Sequence, residues 1–409
     1  MRASIFKRYS TLFALIGLAL MFELLGRLFE SQVRDAYSAF SSGGGSFANL
    51  VNALREAFLI PDPAFLSARN LTNLTLQVAT NGCLAVGMTL IILTGGIDLS
   101  IGSVVALTGI VLGLCAKDLD AGLTVTLLGP LAAGLVVGAI NGVLIARFSI
   151  PPFVITLGML VVARGFALIF SNSSAISPLP EGIRFLGSGF LPGGVGLGLF
   201  LIGFLPLGVM LKRVTDRKVA NVPQSLERGN LVTAIILYAA LGGLLTYVFY
   251  TDRGVPVSVL IMGSLGALGI VLAGHTVFGR SLYAIGGSES AALLSGINVK
   301  RVKFLAYTLM GLIAGVGGIL LSGRLNSATP TEGQLMELDA IASCVIGGTS
   351  LRGGVGRIQG SLIGAFIIGT LNNGMDMLEI SSNWQMVMKG LIIILAVYLD
   401  ARLLNSDRT

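Results

Sequence analysis

Apolar residues run through this chain in long blocks separated by short polar or glycine-rich stretches. A helix that crosses the ~30 Å hydrocarbon core of a bilayer needs about 20 mostly apolar residues. Blocks of that kind predict helices over 11–29, 71–94, 99–115, 122–146, 152–170, 190–211, 230–250, 255–274, 303–322, 355–378 and 384–401. The block 338–350 is short and predicts a re-entrant or broken helix. One interval stands apart: "GRSLYAIGGSESAALLSGINVKRVK" (279–303) is polar and small, ends in a basic cluster, and its middle reads as a helix far too short to cross.

Composition sharpens this picture. Of 409 residues, 54% are hydrophobic and only 11% charged, whereas soluble domains carry about a quarter charged residues. The expected fold is an all-α polytopic membrane protein with about 10–12 transmembrane helices, forming one domain over 1–409. The 56 glycines sit inside apolar runs, where small residues let membrane helices approach closely. The three cysteines (Cys83, Cys115, Cys344) lie in or beside apolar runs without metal-site spacing and read as packing residues. The net charge of +7 lacks a basic stripe interleaved with aromatics, so it reads as membrane topology and not as nucleic-acid binding.

The start "MRASIFKRYS" is basic and precedes an apolar run, but Glu23 and Arg27 interrupt that run and no clean cleavage site follows. It reads as an uncleaved first helix starting in the cytoplasm, with Glu23 and Arg27 spaced to pair on one face. Alternating the segments from there puts 30–70 outside and four basic regions inside: 212–229, 276–302, 351–354 and the C-terminal tail. This agrees with the excess of Lys and Arg in cytoplasmic loops, and both termini are expected there. Counting 338–350 as non-spanning would break that agreement. A weak internal repeat aligns 67–96 with 295–324, and "GLVVGAING" (134–142) echoes "GAFIIGTLNNG" (364–374). The two copies run in opposite directions across the membrane, an architecture of transporters, although glycine-rich apolar runs can also look alike by chance.

Enzyme chemistry is largely excluded. The one histidine, His275, cannot build a two-histidine metal site, and no metal centre is expected. No GxxxxGK[ST] motif is present, so the chain binds no nucleotide by a P-loop, and any pumping draws on a partner or an ion gradient. Ionisable and amide side chains inside apolar runs are costly and are candidates for function. They are Asp98 with Ser100 in "TGGIDLSIGS", Asn141, Asp339 beside Glu337, and Asn372 with Asn373 ahead of Asp376 and Glu379. Broken helices bearing such groups build substrate sites, and neutral polyols would want them. Asp98 and Asp339 also fit as helix caps, and the two roles are compatible.

The stretches "LTGGIDLSIGSVVALTG" (93–109), "FGRSLYAIGGSESAALLSGINVKRVK" (278–303), "ELDAIASCVIGGTSLRGGVGRIQGSLIGA" (337–365) and "NNGMDMLEISSNWQMVMKG" (372–390) resemble the permease subunit of bacterial ribose/galactose/xylose-type ABC sugar importers. The resemblance covers about 65–403. It implies a homodimer in the inner membrane, a cytoplasmic ATPase that holds ATP and Mg, a periplasmic sugar-binding protein, and no cofactor on this chain. It also implies that 276–302 is a cytoplasmic loop that docks the ATPase. Its pattern residues here are Gly286, Gly287, Glu289, Ala291, Ala292, Gly296 and Asn298, between repeat cores at 71–171 and 303–401. Ser288, Ser290 and Leu293 depart from the family pattern, Leu293 standing where arginine is usual. Compared with ribose-type members the chain inserts an apolar pair at 190–250, as xylose-type permeases do, and lengthens the outer stretch 31–66. The competing reading is an ion-coupled secondary sugar carrier, which the in-membrane carboxylates permit but which needs no docking loop.

Overall fold

The computed structural model describes residues 10–28, 65–118, 122–195 and 242–406, with the single positions 35, 38, 39, 49, 51, 52 and 198. In chain order the elements are α1 (Ser10–Leu28), α2 (Ala68–Ile92), α3 (Ile101–Gly113), α4 (Leu123–Phe148), α5 (Pro152–Phe170), α6 (Glu181–Ser188), β1 (Phe190–Leu191), β2 (Val255–Pro256), α7 (Val257–His275), α8 (Val277–Gly287), α9 (Glu289–Leu294), α10 (Val299–Leu325), α11 (Met336–Ile346), α12 (Ile358–Met377) and α13 (Ser382–Ser406). Among the described residues, α2, α4, α5, α7 and α10 are long and apolar enough to cross a membrane.

The helices differ in how much of their surface the protein covers. Apart from its first turns, α2 is buried on every side, as its all-round apolar sequence requires, and forms the axis of the bundle. By contrast α4 and α5 turn Leu128, Val136, Ile140, Val154, Val161 and Ile169 outward, the surface expected of helices in lipid. The core joins α2, α3, α10 and α11 through Leu84, Met88, Val105, Met310 and Cys344. In α4, Gly134, Gly138 and Gly142 recur once per turn and face the α10 backbone at Phe304, Tyr307, Gly311 and Gly315. The two helix backbones therefore touch with no side chain between them.

One sequence of shapes occurs twice. A long helix (α2, α10), an irregular stretch, a short helix (α3, α11) and two longer helices follow each other in α2–α5 and again in α10–α13. The leading members run antiparallel, with Leu84 against Gly317 and Gly87 against Met310 and Ile313.

Several expected boundaries are corrected. The run 99–115 is helical over about its expected length, but it begins two residues late, at Ile101, and α3 gives way to a π-helical turn, Leu114–Asp118, that carries it past 115. It starts late because the glycines and Asp98 hold 94–100 in irregular backbone. The expected helix at 303–322 begins four residues earlier, at Val299, because Asn298 caps it by accepting from the Arg301 amide (3.0 Å). The short helix expected within 279–303 is two helices, α8 and α9. The run 190–211 does not begin as helix, since Phe190 and Leu191 pair antiparallel with Pro256 and Val255. Most of the rest of that run and of 230–250 lies outside the described residues, as does most of 31–66. The Glu23–Arg27 pair forms (2.6 Å), and Glu23 also accepts from the amides of Phe65 and Leu66 (2.8 and 2.9 Å), tying α1 to the entry of α2.

Candidate functional site

Two short helices start inside the bundle and meet there. Residues 105–109 of α3 pack on 314–322 of α10, running in the same direction. At ~1.5 Å per residue, α3 thus begins near half-way along that 27-residue helix. Ser343 and Cys344 of α11 pack on Asn81, Ala85 and Thr89 of α2. At the meeting point Gly102, in the first turn of α3, lies against the Gly333 carbonyl and the Glu337 carboxylate. Two helix N-termini, each carrying a partial positive charge, are thus brought together with Asp98 and Glu337 beside them.

The first predicted group assembles. Asp98 Oδ1 accepts from the Ser100 amide (2.8 Å) and hydroxyl (2.6 Å), and Asn141 Nδ2 donates to Ser100 Oγ (3.1 Å). Asp98 therefore satisfies one amide just ahead of α3 and orients Ser100, which in turn fixes Asn141 on α4. All three side chains are buried. Tyr307, which the sequence reading missed, belongs here too: its hydroxyl lies over Gly96, where a Cβ would come within 2.5 Å of that oxygen. Beside the group runs a crevice lined by Asp98, Ser100, Val104, Asn141, Met310 and Gly311, too narrow in this state to admit a water molecule.

The second predicted group sits elsewhere and does something different. Asp339 does not cap α11; Leu335 holds the cap position in left-handed backbone, and Asp339 lies one turn in. Its carboxylate pairs with Lys389 of α13 (3.1 Å), with the Asn372 side chain beside it. Asn373 exchanges amide hydrogen bonds with Asn70 at the start of α2 (2.8 and 3.1 Å). These pairs fasten α13 to α11 and α12 to α2.

Two further features escaped the sequence reading. Glu332, buried in the stretch before α11, accepts from Ser322 Oγ (2.7 Å), with Gly109 of α3 leaving room for its carboxylate. Arg164 of α5 donates to the carbonyls of Pro330 and Glu332 (2.9 Å for the second), anchoring that stretch. Arg164 and Lys389 are charges inside apolar runs, so the rule that singled out Asp98 would have found both.

The predicted docking residues fall into two sets. Gly286 is packed internally: α8 crosses the loops after α2 and α11 here, a Cβ on Gly286 would overlap the Leu93 carbonyl and the Gly354 nitrogen, and Gly354 N donates to Leu93 O (3.0 Å). Tyr283, one turn earlier, donates to the Gly356 carbonyl (2.9 Å), and burial pushes its phenol above the usual range. Gly287, Glu289, Ala291, Gly296 and Asn298 are exposed, while Ala292 is buried beneath α9. Glu289 is paired with Lys303 (2.7 Å), and α9 closes on Gly296 (φ +81°) in a Schellman turn, Ile297 N to Ala292 O and Gly296 N to Leu293 O. On its outer side α9 presents Leu293 and Leu294, the latter 91% exposed.

A bundle of apolar helices with buried polar groups at the junction of two interrupted helices defines a polytopic helical membrane protein of the permease class. Residues 70–397 match the family of the branched-chain amino acid transport system / permease component, and the chain belongs to that family. It is 41% identical to the xylose transport system permease protein of Escherichia coli over 83% of this chain and 86% of that one. It is 40% identical to the ribose import permease protein of Bacillus subtilis, over 84% and 88% of the two chains. For the ribose import permease protein of Escherichia coli the figures are 38%, 83% and 87%. No solved structure matches the chain.

Proposed function

We propose that this chain is the membrane subunit of a bacterial sugar importer and passes an aldopentose, xylose first among the candidates, into the cytoplasm. The observation that carries this is the 41% and 40% identity to xylose and ribose permeases over more than four fifths of each chain. The family description names branched-chain amino acids, but the polar groups at the α3–α11 junction suit a neutral polyol. The crevice beside Asp98 offers one negative charge and no cation for an amino-acid carboxylate.

Energy comes from a separate cytoplasmic ATPase, and a periplasmic binding protein delivers the sugar. In this reading α8 and α9 face the cytoplasm with both termini, and the exposed Leu293–Leu294 pair on α9 seats the ATPase. Two copies of the chain form the working permease, and the stretches 71–171 and 303–401 act as its two repeat cores. The test is uptake of labelled xylose into proteoliposomes holding the permease, a candidate ATPase and a candidate binding protein, with and without ATP. ATP-dependent uptake is expected; uptake driven by a proton gradient without ATP would establish the ion-coupled carrier instead.

A further inference from the structure

Two of the buried polar atoms that have no hydrogen-bond partner among the described residues adjoin the stretch 96–100, one at Ser100 and one at Gly96. They are Asn141 Oδ1 and the Tyr307 hydroxyl, on side chains of residues each 1% exposed. An unmatched buried polar atom costs ~1–3 kcal/mol, so two of them on one irregular stretch, Asn141 lining the crevice beside it, need a partner in some state of the protein. The surroundings say which kind. Asn141 already donates to Ser100, leaving an acceptor, while Tyr307 offers a donor. Asp98 adds a carboxylate, and Val104 and Met310 add apolar walls. Donors and acceptors within an apolar cleft match a ring that bears hydroxyls on its edge and C–H groups on its faces.

We infer that Tyr307 and Asn141 form a hydrogen-bonding subsite for individual hydroxyl groups of the transported sugar, taken up when the crevice between α3, α4 and α10 widens. This rests on the sugar-importer reading above. The crevice is poised to widen because Gly138 and Gly311 place the α4 and α10 backbones in direct contact along its wall, so a small movement of one helix on the other changes its width. The Tyr307 carbonyl packs on Gly138 as well, which links the hydroxyl's position to the same seam.

The experiment pairs protein and substrate changes. Proteoliposomes with the ATPase and binding protein take up xylose or one of its 2-, 3- and 4-deoxy analogues, at concentrations that saturate the binding protein. In wild type, loss of the hydroxyl that meets Tyr307 slows uptake about tenfold, the worth of one buried hydrogen bond. Tyr307→Phe lowers xylose uptake by a similar factor, yet that one analogue is then handled no worse than xylose; Asn141→Ala does the same for a different hydroxyl. Tyr307→Phe removes one oxygen and keeps the ring, and melting temperature checks that it folds. Variants that slow xylose and all analogues equally, or slow none, would overturn the subsite while leaving the importer reading intact. Failure of wild type to import xylose or ribose would overturn both.

Discussion

Replacing Gly286 with alanine adds one methyl group at the point where α8 crosses the loops that follow α2 and α11. That methyl would overlap the Leu93 carbonyl oxygen and the Gly354 nitrogen, and would lie 2.9 Å from the Gly353 carbonyl carbon. Carbon contacts are comfortable at ~3.5–4.0 Å, and all three neighbours are backbone, which cannot rotate away. Overpacking of this kind costs ~1–3 kcal/mol, and prising the loops apart sacrifices the Gly354–Leu93 hydrogen bond, worth about 1 kcal/mol. The crossing should therefore weaken by ~2–4 kcal/mol, or roughly 30- to 1,000-fold in its closed population. Gly287, next along, has open space where its Cβ would be, so Gly287→Ala is the matched control. In proteoliposomes with the ATPase and binding protein, we expect Gly286→Ala to retain ATPase binding but to lose at least tenfold in ATP-driven uptake. Gly287→Ala should behave as wild type. A Gly286→Ala protein that melts and transports like wild type would refute the claim that this crossing links α8 to the two broken helices.

Three further outcomes follow from the same structure. Lys389→Met strands the Asp339 carboxylate and should destabilise the protein by ~3–5 kcal/mol; the double variant Lys389→Met/Asp339→Leu should recover most of that loss in thermal unfolding, and strictly additive losses would show that the pair is not coupled. Gly296→Ala forces a side chain into left-handed backbone and should cost ~1 kcal/mol locally, read as faster amide exchange across Glu289–Leu294 with the transmembrane core unchanged. Leu294→Asp, on the most exposed apolar side chain of α9, should leave the melting temperature within a degree or two of wild type and sharply reduce capture of the ATPase; undiminished capture would remove α9 from the docking face.

The ends of α5 and α7 lie within about two residues of where hydropathy places them, because each faces lipid or apolar neighbours along its length and the apolar run ends where the helix does. The junction was less legible. The break at "TGGIDLSIGS" was visible as glycines and an aspartate between two apolar runs, but nothing local reveals that α3 starts in the interior of the bundle. Asp98, Ser100 and Asn141 were each visible as polar residues in apolar runs, but only tertiary packing shows that they form one chain of hydrogen bonds. The same packing separates them from Asp339, Asn372 and Asn373, which look identical to them in sequence. Tyr307 gave no signal at all, since a tyrosine in a membrane helix is ordinary until its hydroxyl proves to lack a partner. Arg164 and Lys389 did give one, which a window average over their apolar neighbours diluted.

The seam between α4 and α10 has a mechanical consequence. Interdigitated side chains act as teeth, and sliding one toothed helix past another means lifting each knob out of its hole. Here Gly134 and Gly138 meet Gly311 and Gly315 with nothing to mesh, so the seam resembles a plain bearing: close-fitting, smooth over that stretch and intolerant of grit. A single added methyl would jam it as well as prise it open. The residues with the least chemistry in the chain thus set how freely its most polar cleft can move.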